Sequence, residues 1–267
     1  MGRATLCGIL LGLPVAGTSV QAGEIPAVSR LLATPVEQLS QDDLRFLQRV
    51  VADFGQLQRY RDANAQLPAA VPGQPRVVFF GDSITEGWGR EGSASFFQGR
   101  GWLNRGISGQ TTAQMLLRFP QDVLALHPQV VVILAGTNDI AGNTGPSQAM
   151  IEDNLHAMVD LARAHGTVVV LASVLPVSEY PWMPGITPAP KVRALNSALK
   201  RYADAQRLVY LDYYTPMANA AGGLDPQLAD DGVHPTAKGY AVMAPLAEAA
   251  IKRALDQADS PATTHRN

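Results

Sequence analysis

The chain has 267 residues, 46% apolar and 16% charged, which is enough to bury a substantial core and is the composition of a globular protein, not a disordered one. Its formal net charge is −2 and its Lys and Arg residues are scattered, so no basic surface invites nucleic acid as a partner. The one cysteine, Cys7, excludes an intramolecular disulfide and a cysteine-based metal site.

The chain opens with Arg3, an apolar stretch from Leu6 to Val15, and the small-residue sequence Val20-Gln21-Ala22. That pattern reads as a signal peptide over residues 1–22, cleaved after Ala22, and predicts export to the periplasm or beyond the cell. The stretch is too short for a membrane span and no later window is long and apolar enough, so no transmembrane anchor is expected in the mature chain. Cys7 precedes the apolar stretch instead of following it, which argues against lipidation there.

Residues 23–75 read as a linker and an N-terminal helical extension. Ser40 and Asp43 make a helix start, and Leu44, Leu47, Val50, Val51, Phe54 and Leu57 recur at helical spacing before Pro68. Residues 76–256 then alternate between short apolar runs and longer amphipathic stretches. Strands are expected at Val77–Phe80, Trp102–Asn104, Val130–Leu134, Val168–Ala172 and Leu208–Leu211. Helices are expected at Ala113–Leu126, Gln148–His165, Lys191–Ala205 and Thr236–Leu255, and residues 257–267 form a polar tail. Buried strands separated by helices indicate one α/β domain, a three-layer α/β/α sandwich with a flavodoxin-like parallel five-stranded sheet of order 2-1-3-4-5.

In such a sheet, chemistry gathers at the C-terminal ends of the strands. The first strand runs into Gly81-Asp82-Ser83, which puts a serine at the start of a helix. The second leads to Asn104 through Thr112, the third to Gly136-Thr137-Asn138-Asp139, and the last helix is preceded by Asp230-Asp231-Gly232-Val233-His234-Pro235. A serine hydroxyl needs a base to become a nucleophile, and histidine has the suitable proton affinity, which points to Ser83 and His234. A carboxylate must hold the other ring nitrogen, and Asp231 lies three residues before His234 in a glycine-containing turn. Donors for an oxyanion are available from the N–H groups of Ser83 and Gly109 and the amide of Asn138.

The blocks GDSITEG, NRGISGQTT, GTND and DGVHP, in this order from residue 81 to residue 235, resemble the four motif blocks of the SGNH (GDSL) hydrolases. Ser83, Gly109, Asn138 and His234 match the four residues that give that family its name, and the resemblance makes Asp231 the third member of the triad. It implies a serine esterase that needs neither cofactor nor metal and acts on small-molecule or carbohydrate esters. The same machinery also serves lysophospholipases, thioesterases and acyltransferases, and the sequence does not choose among them. No lid-like apolar helix is evident, which favours short acyl groups, acetyl first. Trp182, Tyr180 and Trp88 are candidate pocket residues, the first two in the long loop after the fourth strand.

Taken singly, each block has an ordinary reading. Ser83 could be a helix N-cap, Gly109 a turn glycine and Asn138-Asp139 a loop pair. Their conjunction at successive strand ends overturns those readings. A non-catalytic binding module would be expected to have lost one of Ser83, Asp231 or His234. The run from Gly87 to Gly92 matches a dinucleotide fingerprint only formally, because the strand has already ended at Gly81. The elbow GxSxG of the common α/β-hydrolases is absent. Asp82, Asp139, Asp230 and Asp231 lack the ligand spacing of a hard-metal site. His127, His156, His165 and His265 are expected at helix ends, on surfaces or in the tail. Oligomeric state is not legible.

Overall fold

The computed structural model describes residue 31 and residues 34–90, 93–142 and 145–259. The expected signal peptide with Cys7, the first part of the linker, His265 and nearly all of the polar tail lie outside the described residues. The strands are β1 Val77–Gly81, β2 Trp102–Gly106, β3 Val130–Leu134, β4 Val168–Ala172 and β5 Val209–Leu211. They pair in parallel in the order β2-β1-β3-β4-β5, as expected. In chain order the helices are α1 Gln41–Ala52, α2 Arg61–Ala65, α3 Ser83–Trp88, α4 Thr112–Asp122, α5 Thr137–Ile140, α6 Gln148–Ala164, α7 Pro188–Gln206, α8 Tyr214–Met217 and α9 Ala237–Asp259.

β1 and β3 are buried along their whole length, which is why they read as unbroken apolar runs. Alternate side chains enter opposite layers. Val78, Phe80, Val131, Ile133 and Leu171 pack with Phe119 of α4, Leu155 of α6 and Leu195 of α7. Val77, Phe79, Val132 and Val170 pack with Ile84 and Trp88 of α3 and Met243, Ala247 and Ile251 of α9.

The region before β1 differs in one respect from expectation. Ser40 and Asp43 do form a reciprocal cap, with the Asp43 amide donating to Ser40 Oγ at 3.1 Å and the Ser40 amide to the Asp43 carboxylate at 3.0 Å. The helix stops at Ala52, however, because the Asp53 carboxylate accepts the amides of Leu57 and Gln58, at 2.8 and 3.1 Å, and folds the chain into a turn. No residue of α1 is buried and Val51 is 82% exposed. The extension docks instead through polar contacts made by residues 54–64. The Gln110 side chain donates to Gly55 O at 3.0 Å, that of Gln114 to Phe54 O at 3.0 Å, and the Asn64 amide to Asp122 at 2.7 Å. Two smaller differences concern helix ends. The helix expected over 113–126 ends at Asp122 and continues as a 3-10 turn over Leu124–Leu126, and α9 runs to Asp259.

Register sets the strand ends level. Gly81 of β1 pairs with Gly106 of β2 and with Leu134 of β3, so the loops after these three strands leave the sheet side by side. Both glycines are needed for room. A Cβ on Gly81 would lie 2.1 Å from Thr85 Oγ1, and one on Gly106 would lie 2.1 Å from the Glu86 amide nitrogen and 2.7 Å from Asp82 O. The second clash is with backbone and cannot be relieved by a rotamer change. Gly106→Ala is expected to destabilise the fold by about 1–3 kcal/mol or more, the range for overpacking. Denaturant titration would read this as a lower midpoint at an unchanged slope; an unchanged midpoint would show that α3 can move off β2 freely.

Candidate active site

Ser83 opens α3 directly after β1, and the Asp82 carboxylate caps that helix by accepting the Ile84 amide at 3.0 Å. Across the crevice, the turn before α9 brings in His234. Its Nε2 lies 2.9 Å from Ser83 Oγ and its Nδ1 lies 2.6 Å from Asp231 Oδ2. Local geometry fixes that turn. Asp231 Oδ1 accepts the amides of Val233 and His234 at 2.9 and 2.7 Å, Gly232 takes the left-handed conformation at φ +76°, and the Thr236 amide donates to Leu228 O at 2.8 Å. Tyr240, one turn into α9, donates its hydroxyl to Ile84 O at 2.8 Å and so ties the histidine turn to the serine helix. Burial alone would raise the Asp231 carboxyl, but the hydrogen bonds from His234 and the Val233 amide outweigh it and hold it below the usual range. A carboxylate kept ionised beside a histidine can stabilise an imidazolium.

Gly109 sits in the loop after β2 at φ +77°, a conformation that favours glycine, with nothing within 4 Å of where a Cβ would stand. Asn138, in α5 after β3, is buried, and its side-chain nitrogen donates to Gln110 O at 3.0 Å and lies 3.4 Å from Asp82 Oδ2. Its neighbour Asp139 accepts the amide of Thr112 at 3.0 Å and the Thr112 hydroxyl at 2.6 Å, which locks the third loop to the start of α4. The five sequence-predicted residues Ser83, Gly109, Asn138, Asp231 and His234 thus gather at one edge of the sheet.

The aromatic candidates divide. Trp182 alone of the three borders the relay, with its ring 6.0 Å from that of His234, and its buried indole N–H has no acceptor among the described residues. Tyr180 is fully buried beneath it and shares hydrogen bonds with the hydroxyl and carbonyl of Thr137. Trp88 is 2% exposed and stacks between Phe96 and Tyr240 at 4.3 and 5.3 Å, so it belongs to the core and lines no accessible surface. His127 and His165 are exposed, and His156 stacks on Tyr202 at 3.7 Å.

A family model for the GDSL-like lipase/acylhydrolase family matches residues 79–242, more than half of the chain. The chain belongs to that family. It is an SGNH hydrolase by family and by fold. Among solved structures, a GDSL-like lipase from Bacteroides thetaiotaomicron is 44% identical with a TM-score of 0.73, covering 75% of this chain and 99% of that one. The Bacillus subtilis lipoprotein YqeF is 33% identical over 127 residues, 40% of this chain. An acetylxylan esterase from Xylanibacter ruminicola is 27% identical over 245 residues, 74% of this chain. The chain spans about half the length of these curated relatives, 51% and 49% respectively.

Sequence reasoning missed the polar residues that hold this SGNH site from below: Asp82, Glu86, Gln110 and Arg118. Asp82 has a titration signature. It is wholly buried, and its carboxyl is pushed up to about 7, chiefly by that burial and against the opposing Ile84 hydrogen bond. In the unfolded chain it titrates near its ordinary value of 3.8. Between about pH 4 and about pH 7 the folded state therefore binds more protons than the unfolded one, and this group's contribution to stability falls as pH rises through that window. Asp82→Asn keeps an oxygen for the Ile84 amide and removes the titration. Its stability relative to the parent protein is expected to improve steadily from pH 4 to pH 7 in denaturant titrations, whereas a pH-independent difference would mean that Asp82 titrates normally.

Proposed function

We propose that the protein is an exported serine esterase that hydrolyses short-acyl carboxylic esters, acetyl esters first. The observation that carries this reading is the continuous relay from Ser83 Oγ through the His234 ring to Asp231, at 2.9 and 2.6 Å. Ser83 Oγ attacks the ester carbonyl carbon while His234 Nε2 accepts its proton. The oxyanion takes donors from the N–H groups of Ser83 and Gly109 and from the Asn138 amide, which exchanges its long contact with Asp82 for the developing charge. Collapse of the tetrahedral intermediate breaks the C–O bond to the alcohol, which leaves with the proton from His234. A water molecule then attacks the acyl-Ser83 ester, gives its proton to His234, and releases the acid as the proton returns to Ser83.

The acetyl preference draws on the acetylxylan esterase relative, and the half-exposed relay suits a substrate that approaches from an open surface. Export draws on the leader-like residues 1–22 and on the lipoprotein relative. Trp182, whose ring lies 6.0 Å from that of His234, is the residue that borders the ester's alcohol portion.

Clear turnover of p-nitrophenyl acetate without added metal is expected, with loss of at least about a thousandfold in Ser83→Ala at an unchanged melting temperature. Equal turnover in both would mean a different nucleophile. Trp182→Ala is expected to raise KM for acetylated sugars several-fold while leaving kcat for p-nitrophenyl acetate nearly intact. If KM for every ester tested is unaltered, Trp182 is packing and not pocket.

A further inference from the structure

The loop that carries Gly109 is held from outside the sheet domain. Its backbone begins at Gly106, whose carbonyl accepts the Tyr60 hydroxyl, and continues through Ser108, whose amide donates to Glu86 Oε2 at 3.1 Å. The Ser108 hydroxyl donates to the same carboxylate oxygen. The other oxygen, Oε1, accepts the Arg59 guanidinium at 3.1 Å, with Arg90 at 4.0 Å from Oε2. Gln110, the residue after Gly109, is fully buried, and its side chain bridges Gly55 O and the Arg118 guanidinium while its carbonyl accepts the Asn138 amide. Three anchors of one short loop thus trace back to Gly55, Arg59 and Tyr60, upstream of β1 and outside the residues that the family model matches.

Two features make this arrangement more than a surface attachment. Glu86 stands one turn beyond Ser83 on α3, so a single carboxylate joins the helix of the nucleophile to the loop of an oxyanion donor. Its carboxylate also accepts from Ser108, the residue before Gly109, and a negative charge there would oppose the negative charge that must develop at the oxyanion unless offset. Arg59 supplies the offset. Tyr60 in turn has the guanidinium groups of Arg59 and Arg105 over its ring, at 5.2 and 4.8 Å from its centroid.

We propose that Arg59, Tyr60 and Glu86 are positioning residues for the oxyanion loop, and that residues 55–60 form a strap which is a working part of the active site. This rests on the esterase reading above. The Arg59 side chain is 51% exposed, and exposed ion pairs of this kind contribute about 0–1 kcal/mol to stability. A structural role for the pair would therefore leave almost no trace in stability or rate, and a positioning role would show in kcat.

The test compares the full chain with Arg59→Met, Tyr60→Phe, Glu86→Gln and the double variant R59M/E86Q, alongside Ser83→Ala. Steady-state kinetics on p-nitrophenyl acetate and amide hydrogen exchange over residues 106–111 are measured for each. The expected result for Arg59→Met is a fall in kcat of about tenfold, less than the roughly 100- to 1,000-fold of losing a donor outright, with KM within about twofold. Exchange across 106–111 should quicken in Arg59→Met and Tyr60→Phe with no change in the sheet. Removing the Glu86 charge should recover part of the loss, so that R59M/E86Q is faster than the two single effects multiplied predict. Unchanged exchange in the loop, or quickened exchange with unchanged kcat, would overturn the proposal. Full activity in Ser83→Ala would overturn the Ser83 relay instead, and with it the role given to the oxyanion loop, whatever the exchange data show.

Discussion

Everything at the reactive edge depends on how closely α3 lies against the end of β2. Gly106 has the Glu86 amide and the Asp82 carbonyl where a side chain would stand, and Gly81 has Thr85 and the Leu134 carbonyl. Two paired glycines therefore let the serine helix turn back over its own sheet with no layer of side chains between them. The consequence is positional. Loops from β2, β1 and β3 start level, at the crevice where the strand order reverses, and Ser83, Gly109 and Asn138 are carried to the same edge from three separate strands.

Below that point lies a polar layer that is unusual for the core of a parallel sheet. Arg118 is wholly buried, stacks over Phe80 at 4.2 Å, and donates to the carbonyls of Gly81 and Arg105 at 2.9 Å each, to Gln110 and to Asp122. The carbonyls of Gly81, the last residue of β1, and Arg105, the next to last of β2, thereby both accept from one cation as the strands end. Burial pushes its guanidinium down to about 10, and the Asp122 carboxylate keeps it charged. Replacing such a pair with apolar groups often costs little net stability, so its contribution here is geometric: it specifies where the strands stop and where Gln110 points. Asp139 does the same for the third loop by capping α4 at Thr112.

The histidine side of the site is built differently. His234 and Asp231 sit in a tight turn, with side chains 38% and 42% exposed, and the turn is held by its own backbone hydrogen bonds and by the Tyr240 hydroxyl. Ser83 and Asn138 are tied into the buried polar layer, and His234 stands on a more open side. Trp182 lies on that open side, with its ring 6.0 Å from that of His234.

Strands, sheet order and the residues that the fold gathers at the strand ends were legible in the chain because they follow from local pattern. Apolar runs such as Val130–Leu134 announce buried strands, glycine after such a run announces a strand end, and serine, asparagine, aspartate and histidine at those ends announce their chemistry by type. The tertiary structure alone decided what holds them. Trp88 looks like a pocket aromatic until Phe96 and Tyr240 are seen to enclose it, and the apolar spacing from Leu44 to Leu57 reads as one helix until Asp53 turns the chain. Likewise Arg59, Tyr60, Glu86 and Gln110 carry no local signal. Their partners lie 22 to 55 residues away, and a polar side chain is assigned a role only by the acceptor that folding brings to it.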